Sequence, residues 1–421
     1  MKISAILASL PRPNPGMHSV NEAFPAWFRS MSIPAETRCY ELGKRYVVPG
    51  SASSTELCGN LNEAMEADAV LFWGDWMQMR HYGTTLAEAD ARWRWIDASR
   101  TAPGSLTEAE ALVRRHLLLA ERPLSDLRKT ILVGGTLALN SASDFIDGKY
   151  AAPLQRLFEN ASAVLMRDLP SAHIARSLRG DCSDPCLGCD CALLLSPDHL
   201  PGFGELPIAS ENRITLFFGR NLGDRSTRQY AQFSRRVANA LEADVSWLPW
   251  FPGRERYARS FGRVLRLKEA IRRKLGTQGQ RARQDNTALP TLGQLLHAIA
   301  QNRCVITDTY HLAVNAWGLG VPAICIADPM EPVSWSANSG QRHTWRDKRF
   351  EFFSMIEALP YFVRARELEK AAWKRSRVEQ LVELLSSGDE IEALVSARLQ
   401  TLRETTRSRL RQALTSLSAG R

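Results

Sequence analysis

The chain has 421 residues, 54 Lys and Arg against 45 Asp and Glu, and a formal charge of +9. Residues 254–283 alone hold 11 basic and 2 acidic residues, so the remainder is balanced. This argues against a protein coated in positive charge, such as a histone-like DNA binder, and points to one local anionic partner or surface. Hydrophobic residues at 44% and charged residues at 24% fit an ordinary globular protein, and this length predicts two domains.

In chain order, the start reads as a β-strand over residues 2–8. Met1, Lys2 and the apolar run to Leu10 resemble a short signal peptide, but Pro11, Pro13 and Pro15 follow without a small-residue cleavage pattern. No apolar run reaches the ~18 residues needed to span a bilayer. Eight cysteines are too few for a disulfide scaffold, so a reducing, cytoplasmic compartment is expected. Further strands are predicted at 69–72, 130–133, 163–166 and 192–195, with helices at 84–99, 106–119 and 153–160. Residues 196–212, rich in Pro, Gly and polar residues, read as an interdomain linker. A second series follows: strands at 214–218, 245–248, 304–307 and 323–326, and helices at 226–241, 291–301 and 310–319. Residues 276–290 lack apolar periodicity and read as a loop, and the tail from Arg364 reads as long helices broken near Gly388.

Strand–helix alternation implies parallel sheets covered by helices. The expected fold class is therefore α/β, with two Rossmann-like domains facing a cleft (a GT-B-like arrangement) and C-terminal helices packing back. The domains are placed at 1–200 and 211–360, with a helical extension at 361–421.

Several motifs can carry chemistry. Ile131-Leu132-Val133-Gly134-Gly135-Thr136 ends a buried strand in two glycines, which suits either close ligand approach or a tight turn. At Arg167-Asp168-Leu169-Pro170 a strand runs into a helix start, where an adjacent Arg suits an anion. Equally, Asp168 can cap that helix with Arg167 paired to it. At Thr307-Asp308-Thr309-Tyr310-His311 another strand meets a helix, capped by Asp308 or Thr309, with His311 in the first turn. The helix dipole should lower that His pKa somewhat, unless a bound anion raises it. Cys182, Cys186, Cys189 and Cys191 fall within ten residues. Zinc or iron–sulfur binding is weighed there against a loop of reduced thiols, and no metal is assigned. The basic segment 254–283 suits a solvated helix, or contact with anionic lipid or a pyrophosphate-linked glycan. No RRM, KH or HTH signature supports nucleic acid binding.

At these residues the sequence resembles the polysaccharide pyruvyl transferase family. The resemblance is carried by ILVGG, by the strand–RDLPS unit, by Cys189-Asp190-Cys191-Ala192-Leu193-Leu194, by the TDTYH–LAVNAWGLGVPAICI block and by Asp347-Lys348-Arg349-Phe350. It spans roughly residues 67–356. Members have a GT-B-like fold and transfer the enolpyruvyl unit of phosphoenolpyruvate onto two sugar hydroxyls, giving a pyruvate ketal on a surface polysaccharide or its lipid-linked precursor. The resemblance implies phosphoenolpyruvate as donor substrate, no cofactor, a glycan or lipid-linked glycan acceptor on the first domain, and the donor on the second. His311 matches the His of the family's usual Arg-Leu-His tripeptide and is the expected general acid, with Asp308 as the second catalytic candidate. Expected substrate-binding residues are Arg167, Arg220, Gly134, Gly135, Thr309 and Tyr310. Here the tripeptide reads Thr309-Tyr310-His311, so one anion ligand is missing. Arg220 is the first substitute, ahead of Arg303, Arg342 and Arg346. A GT-B glycosyltransferase using a nucleotide sugar, and a non-catalytic glycan-binding protein, are the alternatives.

Overall fold

The computed structural model describes residues 1–7, 14–31, 35–41, 61–74, 77–80, 111, 114–138, 140, 142–181, 183–204, 211–219, 224–251, 290–333 and 343–419. The expected helix at 84–99, most of that at 106–119, the basic segment 254–283, Cys182, Arg220 and Arg342 lie outside the described residues.

Five strands form the first sheet: β1 (Lys2–Leu7), β2 (Glu36–Glu41), β3 (Ala69–Trp73), β4 (Thr130–Gly135) and β5 (Ala163–Met166). Their order is β2-β1-β3-β4-β5, and every pair is parallel. β3, β4 and β5 are buried along their whole length, as parallel strands covered on both faces must be. The second sheet uses β6 (Glu211–Phe217), β7 (Asp244–Trp247), β8 (Asn302–Thr307) and β9 (Ala323–Ala327). An antiparallel hairpin, β10 (Met330–Val333) with β11 (His343–Arg346), follows. β12 (Phe362–Arg364) then completes the second sheet in the all-parallel order β12-β9-β8-β6-β7. Read from β7, this is the strand order of the first sheet. Each sheet reverses direction of winding once, between β1 and β3 and between β6 and β8, and ligands of open α/β sheets gather at the carboxyl ends near such points.

The two domains share a core. Ile3, Ala5, Leu7 and Leu71 point to one face of the first sheet and join a cluster that continues through the second domain. Their neighbours Ile6, Val70 and Phe72 point to the other face and form a separate cluster. A helix at Pro15–Ser30 lies at the junction, with buried residues on most of its surface. It starts where Asn14 accepts the Met17 N–H and Pro15 occupies the first turn, where a missing N–H costs nothing. Trp73 at the end of β3 anchors it, donating to the Val20 carbonyl at 2.8 Å and stacking on Trp27. Pro15, the last of the three early prolines, therefore opens a helix.

One expected strand is replaced. Residues 192–195 are not extended; Cys191–Leu194 forms a 3-10 helix. Asp190 causes this by accepting the Ala192 N–H at 3.0 Å, which turns the chain before it can pair. A short apolar run cannot by itself separate a buried strand from a buried helical turn. Beyond Arg364, helices occupy Ala371–Ser387 and Asp389–Ala419. The second is 31 residues long and buries Val395, Leu399, Thr406, Leu410 and Leu414 along one stripe. It returns to the first domain, packing on β5 and the 3-10 helix. Two doubly wound domains with C-terminal helices crossing back is the GT-B-like arrangement expected from the sequence. Among the described residues, no helix is long and apolar enough to cross a membrane.

Candidate active site at the domain junction

The first domain supplies an Arg and an Asp from the carboxyl end of its sheet. The Arg167 N–H donates to the Gly135 carbonyl at 3.0 Å, so the chain leaves β5 still tied to β4. Asp168 caps the helix Leu169–Arg179 by accepting the Ser171 N–H at 2.8 Å. Arg167 does not pair with it; the Arg167 Nη1 donates to Asp190 Oδ2 at 3.1 Å, with both side chains almost fully buried.

The glycines explain how Asp190 reaches that place. Gly134 has φ of +66°, and a Cβ there would lie 2.4 Å from Cys191 Sγ and 3.3 Å from the Cys189 carbonyl oxygen. Gly188 is also tight, with a Cβ 2.9 Å from Leu165 Cβ. These contacts seat the Cys189–Cys191 turn on the ends of β4 and β5. Gly134 thus receives this turn of the chain itself. Gly135 pairs with Met166 in the sheet. The thiols are packing groups. Burial, opposed in part by Thr406, pushes Cys189 up to about 12, and burial likewise holds Cys191 well above the usual thiol range. Among the described residues, no group of three His, Cys, Asp or Glu side chains is placed to hold a metal ion.

The second domain supplies its groups from the turn after β8. Asp308 is buried and accepts the Gly219 N–H at 2.7 Å and the Thr309 hydroxyl at 3.1 Å. It closes the second sheet's own reversal point between β6 and β8. Arg349 holds the turn from behind, donating to the Asp308 carbonyl at 2.6 Å while paired with Asp347 at 2.8 and 2.6 Å. The helix Tyr310–Gly318 starts after Thr309, whose side chain does not cap it. Its first-turn N–H groups are left without a side-chain cap, at the positive end of the helix dipole.

Tyr310 and His311 point from that first turn towards Asp190. The Tyr310 hydroxyl faces Asp190 and helps to hold its pKa down. Two cations lie near its ring, the Arg167 guanidinium at 5.2 Å and the Lys348 ammonium at 4.9 Å from the centroid. His311 is 8% exposed, and its Nε2 has no hydrogen bond and lies 3.7 Å from Asp190 Oδ2. Burial, with Lys348 and Arg167 nearby, lowers the His311 pKa to about 3 against the pull of Asp190. Its imidazole is therefore neutral near pH 7. The shift expected from the helix dipole is present in direction but far larger, and burial is its main cause. For Asp190, burial is the largest influence and would raise the pKa. His311, Arg167, the Ala192 N–H and the Tyr310 hydroxyl outweigh it and bring Asp190 below the usual carboxylate range.

The first helix completes the site. A Cβ on Gly16 would lie 2.4 Å from His311 Cβ and 2.9 Å from its Nδ1, so only glycine lets the imidazole lie against this helix. Asn315, one turn after His311, donates to the Ser19 hydroxyl at 2.9 Å and locks the two helices together across the domains.

Of the residues selected from sequence, Arg167, Tyr310 and His311 come together, with Thr309 at the start of the helix that carries the last two. Asp308 and the glycines act one step behind them as structural supports. Arg303 sits at the opposite end of β8, where it donates to the Leu385 carbonyl at 2.8 Å. It is removed from the site because strand direction puts 302–303 at the far edge of the sheet. Asp190, Lys348 and Gly16 were not selected. A lone carboxylate inside the run Cys189–Leu195 was the available signal for Asp190; for Gly16 there was none.

A model of the polysaccharide pyruvyl transferase family matches residues 104–328, more than half of the chain. No curated protein matches. Among solved structures, a protein from Listeria monocytogenes assigned as a UDP-N-acetylglucosamine 2-epimerase shares 14% identity, with 100% of this chain and 97% of that one covered and a TM-score of 0.48. The UDP-GlcNAc 2-epimerase of Neisseria meningitidis bound to UDP-GlcNAc shares 10%, covering 99% and 100%, with a TM-score of 0.48. UGT2 of Phytolacca americana, complexed with UDP-2-fluoro-glucose and pterostilbene, shares 10%, covering 100% and 99%, with a TM-score of 0.43. The family match spans Arg167, Asp190, Tyr310 and His311, and by it this chain is a transferase enzyme belonging to the polysaccharide pyruvyl transferase family.

Proposed function

We propose that the protein transfers the enolpyruvyl group of phosphoenolpyruvate to two hydroxyls of a glycan, part of a surface polysaccharide or its lipid-linked precursor. The observation that carries this reading is His311 Nε2: buried, without a hydrogen bond, in an uncapped helix start and 3.7 Å from Asp190. A trianionic donor fits such a place. The open N–H groups of residues 310–312 suit its phosphate, and Arg167 and Lys348 supply positive charge. Thr309 stands where the family's usual Arg would be, so these groups carry more of the anion binding here.

The reaction needs a proton at the donor's methylene carbon. His311 is neutral in the free protein, so it becomes an acid only once the donor's negative charge raises its pKa. Asp190 then supports the imidazolium. Protonation of the methylene carbon makes the neighbouring carbon electrophilic, and the first sugar hydroxyl attacks it. The second hydroxyl attacks as the carbon–oxygen bond to phosphate breaks. One hydroxyl proton ends on the new methyl group and the other on inorganic phosphate, so the balance closes without a cofactor. Asp308, whose carboxylate holds the Gly219 N–H, acts as a positioning residue in this scheme.

The donor side is thus the second domain, and the acceptor approaches over the first. The reading places the reaction in the cytoplasm, with residues 254–283 contacting anionic lipid or the acceptor's pyrophosphate. To test it, the protein is incubated with phosphoenolpyruvate and candidate glycans, and phosphate release and a new ketal methyl signal are followed by NMR. Both are expected. Nucleotide release from a nucleotide sugar, with phosphoenolpyruvate untouched, would show a glycosyltransferase instead, and glycan binding without either turnover would show a non-catalytic binder.

A further inference from the structure

The long C-terminal helix lies outside the residues matched by the family, yet one of its side chains touches both halves of the site from behind. Arg403 Nε donates to the Leu193 carbonyl at 2.7 Å, and its Nη2 donates to the Gly318 carbonyl at 2.7 Å. Leu193 belongs to the 3-10 helix that Asp190 caps. Gly318 is the last residue of the helix that His311 begins. The two elements come from different domains, and each presents a functional group at its front end and a carbonyl to Arg403 at its back end.

We propose that Arg403 is a positioning residue that sets the separation of Asp190 and His311. One planar guanidinium binds two carbonyls in a fixed fork, so it fixes the distance between the two helices more tightly than separate contacts would. Both carbonyls lie at the negative ends of helical elements, where a cation is favoured. Gly318 lies directly against the fork: a Cβ there would be in ordinary contact with Arg403 Nη2 at 3.4 Å and Leu193 Cδ2 at 3.5 Å. The same helix meets this part of the first domain again through Thr406, which lies beside the Cys189 thiol, and through an ion pair of Arg409 with Asp184. The helix is thereby aligned on the first domain before Arg403 reaches to the second.

This proposal rests on reading Asp190 and His311 as one catalytic pair, and its test separates the two ideas. Wild-type protein, R403A, R403K and, as a surface control, R398A are compared; Arg398 is exposed and pairs with Glu357. With phosphoenolpyruvate and an accepted glycan, R403A should lose about a hundredfold in kcat with KM for the donor little changed. Methylguanidinium added to R403A should restore part of that rate, and R403K, which offers one point charge, should recover less. In donor-free protein, the His311 ring followed by NMR should titrate higher in R403A than in wild type, towards the ordinary imidazole range, as the pair loosens and water enters. If R403A does not unfold cooperatively, R403Q, which keeps part of the stem but not the two-armed fork, takes its place in both measurements. A kcat equal to that of R398A, or a His311 titration identical to wild type, overturns the proposal. If wild-type protein does not turn over phosphoenolpyruvate, the reaction assignment fails, and the His311 titration alone still decides the role of Arg403.

Discussion

The two domains have the same strand order but contribute to the site in different ways. In the first, the functional groups come from the far side of the sheet, where β5 and the turn after it place Arg167 and Asp190. In the second, they come from the central strand, where β8 runs directly into the helix carrying Tyr310 and His311. Neither domain keeps its own reversal point open. Gly74, at the end of β3, meets Val20 of the first helix, and Asp308 spans from β8 to Gly219 beyond β6. The positions where an isolated sheet of this kind would bind a ligand are filled by the chain itself. The candidate catalytic groups lie instead at the helix starts between the domains, so neither domain carries the whole candidate site.

Removing the second domain's contribution should have the largest effect. H311N is expected to lower kcat for phosphoenolpyruvate-dependent phosphate release about a thousandfold, with the fold intact by circular dichroism. A smaller loss would shift the burden of proton transfer to another group.

Next is a change in the first domain that acts only across the junction. G16A puts a methyl group 2.4 Å from His311 Cβ. Helix propensity alone would make this substitution stabilising by up to about 1 kcal/mol. The contact predicts the opposite: a displaced His311 and a fall in kcat of about a hundredfold. Unchanged kcat with raised Tm would show that the two helices do not meet as described.

The pH dependence of stability sharpens the same comparison. The His311 pKa is about 3 in the folded protein against an ordinary value of 6.5, so the unfolded chain binds the extra proton first. Stability should therefore fall as pH drops from about 6.5 to about 3, by at most about 1.4 kcal/mol per pH unit for this one group. Asp190, Arg167, Lys348 and Tyr310 face it, and only Asp190 also titrates in acid. Its lowered pKa adds a loss that begins below the ordinary carboxylate value. Urea unfolding of H311Q should show a shallower slope between pH 6 and 4 than wild type; equal slopes would mean that His311 is not buried neutral.

The smallest effect concerns the departure at Thr309. T309R adds a guanidinium at the start of the His311 helix and should lower KM for phosphoenolpyruvate about tenfold, the worth of one charged hydrogen bond. A rise in KM would show that the Thr309 hydroxyl on Asp308 matters more than the added charge.

Much of this organisation was legible in the sequence, because parallel strands announce themselves as short apolar runs and some helix starts by their caps. β4 and β8 are of the first kind and Asp168 of the second, whereas the helix of His311 starts without the side-chain cap expected of Thr309. What was hidden depended on contacts between distant segments. Asp190 lies inside a stretch that carries the family resemblance, but its place in the candidate site depends on Gly134 and Gly188, 56 and 2 residues earlier, which let its turn sit on the sheet. The first helix was masked by its prolines, although Asn14-Pro15 is a helix-start signature. Gly16 carries no local signal, since its need is set by a ring almost 300 residues away. The strand expected at 192–195 failed for a local reason: a capping carboxylate outweighed an apolar run.

The central claim is that Asp190 of the first domain and His311 of the second act as one unit, and a double-mutant cycle tests it most directly. Phosphoenolpyruvate-dependent kcat is measured for wild type, D190N, H311N and the double variant. If the pair is a unit, the double variant should be scarcely slower than H311N alone, a strongly non-additive result. Losses that simply multiply would show that the two residues act independently and would contradict the account.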